Sequence, residues 1–274
     1  MREFIFTLSV LFSFYFTGFA QKPKHFEPEP KGMKFVPQGS FQMKDVSGTM
    51  KSVSLDAFWM SNEITNAEYR EFVDYAKQHP DEELSWVDLS AMATAKKDGK
   101  EVNAANNTRS IKFSELSEKL VPANIPVSDY FKDKKFDNYP VAGVTYLNAR
   151  YFCMWKTQKE NKELASKGKP NVQEYRLPME AEWAYAASQS GAGAIAKSKT
   201  VLPVKSGKPN KLGLCNLSDN VAEWTATPGE GNERIIRGAS WKDLPSVDLR
   251  KGMDENNSTA DVGFRIVRSF VGSR

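Results

Sequence analysis

Tyr175-Arg176-Leu177-Pro178-Met179-Glu180-Ala181-Glu182-Trp183-Ala184-Tyr185-Ala186-Ala187 is the stretch on which the reading of this chain turns. Pro178 fixes its own φ and disfavours helix at the residue before it, so Tyr175–Pro178 reads as extended. Ala, Glu, Trp and Tyr then follow without a breaker. Glu180 and Glu182 stand where carboxylates favour a helix N-terminus. Trp183, Ala186 and Ala187 recur at i, i+3, i+4 and make one apolar face. The local pattern specifies a short buried helix behind a rigid extended lead.

Upstream, Pro140–Val144 leads into a second helix, Tyr146 to about Glu160, and Gly168-Lys169-Pro170 ends that unit. An earlier helix starts at Thr65-Asn66-Ala67-Glu68, a capping box, with Tyr69, Phe72, Val73 and Ala76 as its apolar stripe. Val53–Met60 reads as a strand. Met33–Pro37 and Gly39–Met43 alternate around a glycine turn and predict a hairpin. Between them and the second helix lies the least regular third, Pro80–Tyr139. There Ala91–Asn107 reads as a polar, mobile insertion and Ile111–Leu120 as a short helix. Val121–Tyr139, rich in aromatics and prolines, reads as an ordered loop packed on the body. Downstream, Ser188–Asn210 is a linker with a strand-like Thr200–Val204. Leu212–Thr225 is turn-rich, and Arg234–Trp241 and Val262–Val267 are strands. No internal repeat stands out.

The N-terminus bounds the compartment. Arg2, the apolar run Phe4–Phe16 and the small residues Thr17-Gly18-Phe19-Ala20 read as a signal peptide over residues 1–20. The alternative, a membrane anchor, needs a longer apolar run. No cysteine follows it, so no lipoprotein signal is present. Residues 21–32 read as a Pro-rich linker, and residues 33–272 as one domain with an insertion at about 80–139. No later stretch is apolar enough to span a membrane. The net charge is +4 and the basic residues are scattered, which gives nucleic-acid binding little support. Two cysteines, Cys153 and Cys215, and two histidines, His25 and His79, build no zinc cluster at these spacings. Cys153 reads as a small buried apolar residue rather than a nucleophile. A Cys153–Cys215 bridge is neither shown nor excluded by spacing.

Four motifs in order then carry a resemblance. They are Phe35–Phe41 with Trp59–Val73; Pro140–Trp155 with Tyr175–Ala187; Gly213-Leu214 with Asp219–Thr225; and Arg237-Gly238-Ala239-Ser240-Trp241 with Gly263-Phe264-Arg265. Together they resemble the sulfatase-modifying-factor family, the formylglycine-generating-enzyme domain, over about residues 33–270. The resemblance implies an α+β, C-type-lectin-like fold with a few helices and much irregular structure. Oxidase members carry two copper-binding cysteines after the Arg-Gly-Gly-Ser segment. Read without a gap, those positions are Asp243 and Asp248, and carboxylates are not the soft ligands that copper(I) thiolate chemistry needs. No copper and no oxidase activity are therefore expected. A family disulfide from the second helix would join Cys153 to the position of Ile266, so it is absent. The family's Gly-Asn-Val-Trp-Glu-Trp segment implies a calcium site at Asn220, the Val221 carbonyl and Glu223; the alternative is that Asn220 and Glu223 bond loop backbone.

A narrower likeness lies in Tyr130-Phe131, Phe136–Val141 and Met253–Asn256 before Gly263-Phe264-Arg265. It resembles the Bacteroidetes gliding-motility and type IX secretion lipoproteins K and J, which are noncatalytic. This implies a periplasmic protein peripheral to the outer membrane, without a lipobox cysteine. Its partners would be components of the secretion or motility machinery, met through Tyr130, Phe131, Phe136 and Tyr139. Two other readings stay open. One is a lectin-like module for cell-wall glycan, with a groove at Trp241, Asp243 and Asp248. The other is an enzyme of altered chemistry using Asp243 and Asp248 as paired carboxylates.

Overall fold

The computed structural model describes residues 29–44, 48–87, 108–123, 125–189 and 199–272. The signal segment, most of the linker and the Ala91–Asn107 insertion lie outside the described residues. The opening stretch folds as its local chemistry requires. Tyr175–Arg176 is an extended strand (β7), and Glu180–Ser188 is a helix (α4). Trp183 and Ala186 are fully enclosed.

Two four-stranded sheets frame the molecule. The first orders β1 (Lys34–Val36), β4 (Phe58–Met60), β12 (Val267–Ser269) and β7. The second orders β10 (Arg250–Asp254), β9 (Glu233–Arg237), β8 (Ala222–Pro228) and β11 (Val262–Gly263), the last pair being parallel. The expected hairpin of residues 33–43 does not form. β1 pairs with β4, Phe35 opposite Trp59, while β2 (Gly39–Lys44) pairs with β3 (Met50–Leu55), Phe41 opposite Val53. The alternation in β2 is real, but its apolar face is claimed by α4: Phe41 packs on Tyr185 with ring centroids 5.5 Å apart. Gly39 sits so close to that helix that an added Cβ would lie 2.2 Å from Tyr185 Oη. For the same reason Val53–Met60 is two strands in two sheets, broken at Asp56-Ala57.

The helices follow their caps. In α1 (Asn66–Gln78) the Glu68 N–H donates to Thr65 Oγ1 at 3.2 Å, and the Thr65 N–H donates to Glu68 Oε2 at 2.9 Å. Its stripe of Tyr69, Phe72, Val73 and Ala76 is buried. α3 (Tyr146–Ala165) starts at a Thr145 cap and runs past the expected end at Glu160. Ile111–Leu120 keeps only one helical turn, α2 (Phe113–Leu116). Its first residues are taken by β6 (Thr108–Lys112), which pairs with β5 (Glu83–Val87). Thr200–Val204 is not a strand; the Val204 N–H instead donates to Asn138 O at 2.8 Å. Val262–Val267 is interrupted because Phe264 and Arg265 turn inward, both with no exposed surface. One core joins α1 and α3 through Tyr69, Phe72, Phe152, Trp155 and Phe264. A second joins α4 to the first sheet through Trp183, Val36, Phe58, Met60 and Val267.

Candidate functional site

Arg265 enters the interior from the residue after Phe264. Its Nε donates to Glu223 Oε2 at 2.5 Å and its Nη2 to Glu223 Oε1 at 2.7 Å. Nη1 reaches Ser61 O and Nη2 also reaches Cys215 O, each at 3.1 Å. Trp183 Nε1, from the stretch that decides the fold, donates to Glu223 Oε2 at 2.7 Å. All three side chains are fully enclosed. Burying two charges is costly unless every polar atom is matched, and here the pair is bidentate with backbone carbonyls taking the remaining donors.

A second carboxylate shares this knot. Glu63 Oε1 accepts from Asn216 Nδ2 at 2.8 Å and from Asn220 Nδ2 at 3.0 Å. Its Oε2 is buried without a partner. Burial pushes the Glu63 carboxyl up to about 7; Arg265 works against the rise, and the nearby Glu223 adds to it. Asn216 and Asn220 both hold positive φ, 57° and 71°, which Asn tolerates better than most residues.

The residues named for calcium are already engaged. Asn220 Oδ1 accepts the Leu202 N–H at 2.9 Å, and both Glu223 oxygens are held by Arg265. An ion here would have to displace a guanidinium from a carboxylate. As placed, Asn220, Val221 and Glu223 do not fit calcium, and the alternative reading of backbone bonding matches Asn220. Among the described residues no group of three or more His, Cys, Asp or Glu side chains converges.

Asp243 and Asp248 share no hydrogen-bond or ion-pair partner among the described residues. Asp243 Oδ2 accepts the Ser240 N–H at 3.1 Å and the Ser240 hydroxyl at 2.8 Å. Burial works against its charge, but these bonds and Lys251 outweigh it and hold the Asp243 carboxyl below the usual range. Asp248 is exposed, and its carboxylate has no hydrogen-bond or ion-pair partner among the described residues. The carboxylate that shares a partner with Asp243 is Asp261, whose Oδ2 lies 3.0 Å from the same Ser240 hydroxyl. Lys242 Nζ meets Asp261 Oδ1 at 2.6 Å. Ser240 thus ties Asp243 to the backbone and to Asp261. Two hard carboxylates also do not fit copper(I). Trp241 is half-buried with Lys242 Nζ 5.2 Å from its ring centroid, so the face offered to a glycan is partly covered.

Cys153 and Cys215 are both free and buried. Burial pushes the Cys153 thiol up to about 12, the state of a packing residue rather than a nucleophile. Of the aromatics expected to face a partner, Tyr130 is buried, its hydroxyl donating to Pro140 O at 2.6 Å, while Phe131, Phe136 and Tyr139 are half-buried. Phe131 packs on Tyr69, and Phe136 lies 5.1 Å from Tyr130 and 5.2 Å from Tyr139. Burial and its hydroxyl bond pin Tyr130 to the body. A depression of about 240 Å³ is lined by Val121, Pro122, Ile125 and Val127 together with Tyr130 and Phe131. Glu63, Asp261 and Ser240 escaped the sequence reading as site residues. Ser240 stood inside a quoted motif, and Glu63 inside Trp59–Val73, but nothing local says which buried group each will meet.

The pattern of the sulfatase-modifying factor enzyme 1-like domain matches residues 19–200 and 194–270. The inactive C-alpha-formylglycine-generating enzyme 2 of Bos taurus is 26% identical over 280 residues, covering 84% of this chain and 85% of that protein. The serine/threonine-protein kinase pkn1 of Chlamydia pneumoniae is 29% identical over 171 residues, which covers 49% of this chain but only 25% of the kinase. CarF superimposes with a TM-score of 0.57 at 19% identity, covering 88% of this chain and 98% of CarF. PvdO from Pseudomonas aeruginosa gives 0.57 at 19%, covering 91% and 100%. At that identity the two structures speak for the fold alone, the formylglycine-generating-enzyme type of C-type-lectin-like fold. Among the described residues no helix is long and apolar enough to cross a membrane. The knot of Trp183, Glu223 and Arg265 thus ties together three of the four motifs, and the chain belongs to the sulfatase-modifying-factor (formylglycine-generating-enzyme) domain family.

Proposed function

We propose that this chain is a noncatalytic member of its family, an exported periplasmic protein that acts by binding as a component of a type IX secretion or gliding-motility apparatus. The observation that carries the noncatalytic part is the state of the two aspartates. Asp243 is engaged by Ser240, the Asp248 carboxylate is exposed and unbonded among the described residues, and the two thiols are buried outside that segment. The similarity to a relative named as an inactive enzyme points the same way. The secretion role rests on the likeness of residues 121–142 and 253–265 to the noncatalytic lipoproteins. The depression lined by Val121, Val127, Tyr130 and Phe131 offers a protein partner an apolar foothold within this likeness.

The test is cross-linking of intact envelopes followed by mass spectrometry on the tagged chain. Secretion or motility components linked to residues 121–139 support the proposal. Recovery of the chain alone under mild extraction, with no such cross-links, overturns the apparatus role. Formylglycine production from a cysteine peptide with added copper would separately overturn the noncatalytic part.

A further inference from the structure

A cleft of about 560 Å³ opens on the far side of α3, and no residue of the Ser240–Asp248 segment lines it. Its floor is one ridge of that helix. Tyr146, Arg150, Met154 and Gln158 follow each other at i+4 spacing and all line the cleft. β5 also lines it, through Ser85, Trp86 and Val87; Trp86 tilts on Tyr151 at 6.3 Å, and Val87 is 40% exposed. Glu174, Arg176 and the hydroxyl residues Ser85 and Thr157 are among the other lining residues. The volume falls in the range of small-molecule sites.

The charges in this cleft are unevenly satisfied. Arg150 is half-buried and has neither an ion pair nor a hydrogen bond among the described residues; its guanidinium lies 5.9 Å from the centre of the Tyr146 ring. Gln158, half-buried beside it, has no hydrogen-bond partner among those residues either. Arg176, by contrast, is neutralised by two bonds to Glu182, each 2.7 Å. Glu174 puts one exposed carboxylate at the mouth. Among the described residues the cleft thus offers one guanidinium without an ion pair or hydrogen bond and a neutral amide beside apolar side chains, with a negative charge that disfavours dianions.

We propose that this cleft binds a small organic monoanion with an apolar body, an alkyl- or aryl-carboxylate whose carboxylate meets Arg150 and whose body lies between Met154 and Trp86. Guanidinium recognises a carboxylate through paired donors, and a partly enclosed site strengthens that bond. The assignment is independent of the secretion role.

The experiment is calorimetric titration of the folded chain with 3-phenylpropionate, its neutral amide and phenyl phosphate. Saturable one-site binding of the acid is expected, at least about tenfold tighter than the amide, as loss of a charge-assisted hydrogen bond implies. Arg150→Gln, which breaks no ion pair or hydrogen bond among the described residues, should remove that preference while leaving the melting temperature unchanged. Met154→Trp should fill the apolar part of the cleft and abolish binding of both. The proposal is overturned by an absence of saturable binding at millimolar acid, by equal binding of acid and amide, by an unaffected Arg150→Gln variant, or by tighter binding of phenyl phosphate than of the acid.

Discussion

Arg265 holds both carboxylate oxygens of Glu223, at 2.5 and 2.7 Å, where neither side chain has any solvent-exposed surface. The two residues are 42 positions apart in sequence. Trp183 closes the same oxygen from a third segment, so one ion pair clamps three motifs.

Removing one partner leaves the other charged and unpaired in the interior. Arg265→Ala should therefore destabilise the chain by about 3–5 kcal/mol. Guanidinium unfolding measures it. A loss below about 1 kcal/mol would mean that water reaches Glu223 and the knot is not closed.

Glu63 makes stability depend on pH in an unusual direction for a carboxylate. Its folded value, about 7, lies above the ordinary 4.5. The folded state holds the proton more tightly, so this contribution is complete below about pH 4.5 and is lost as pH rises to about 7. Glu63→Gln keeps the acceptor for Asn216 and Asn220 and removes the titration. It should match the parent near pH 5 and exceed it at pH 8 by a few kcal/mol, since each tenfold change in proton affinity is worth about 1.4 kcal/mol. Thermal melts at both values decide the matter; parallel curves for parent and variant would refute the titration.

Met179 stands at the N-cap of α4, and its side chain makes no cap bond. Half of the capping box survives, since the Met179 N–H donates to Glu182 Oε2 at 2.8 Å. Met179 is 44% exposed, so little packing is lost by replacing it. Met179→Thr should complete the box and stabilise by about 0.5–1 kcal/mol. Chemical denaturation of the two proteins would expose a wrong assignment if the variant were equal or weaker.

Asp243 and Asp248 should respond differently to truncation. Asp243→Ala strips the acceptor from two Ser240 donors and should lose about 1–2 kcal/mol. Its contribution is present at neutral pH and fades as pH falls, because the folded carboxyl is held below its usual range. Asp248→Ala should stay within about 0.5 kcal/mol, as surface changes do. Equal losses in urea melts would favour the paired-carboxylate reading.

The legible part of this protein is what neighbouring residues decide among themselves. Thr65 and Glu68 satisfy each other within one turn, the helix entered from Pro140–Val144 starts at Tyr146, and Pro178 separates β7 from α4. The order of the four motifs carried the family and with it the fold class. Composition also marked Val121–Tyr139 as a loop that packs on the body, and Tyr130 does so.

What only the tertiary structure decided is which distant group each polar or apolar side chain meets. The strand pattern at Met33–Met43 was visible, yet β1 chose β4 and β2 chose β3, because α4 took the apolar face of β2. Asp243 found Ser240, whose hydroxyl also meets Asp261, and Glu63 found Asn216 and Asn220. Caps and periodicity are short-range and survive in any fold, whereas a buried charge is settled only where the packed core has excluded water and left one donor within reach. For Glu223 that donor is Arg265, and the stretch from Tyr175 to Ala187 supplies the tryptophan that completes it.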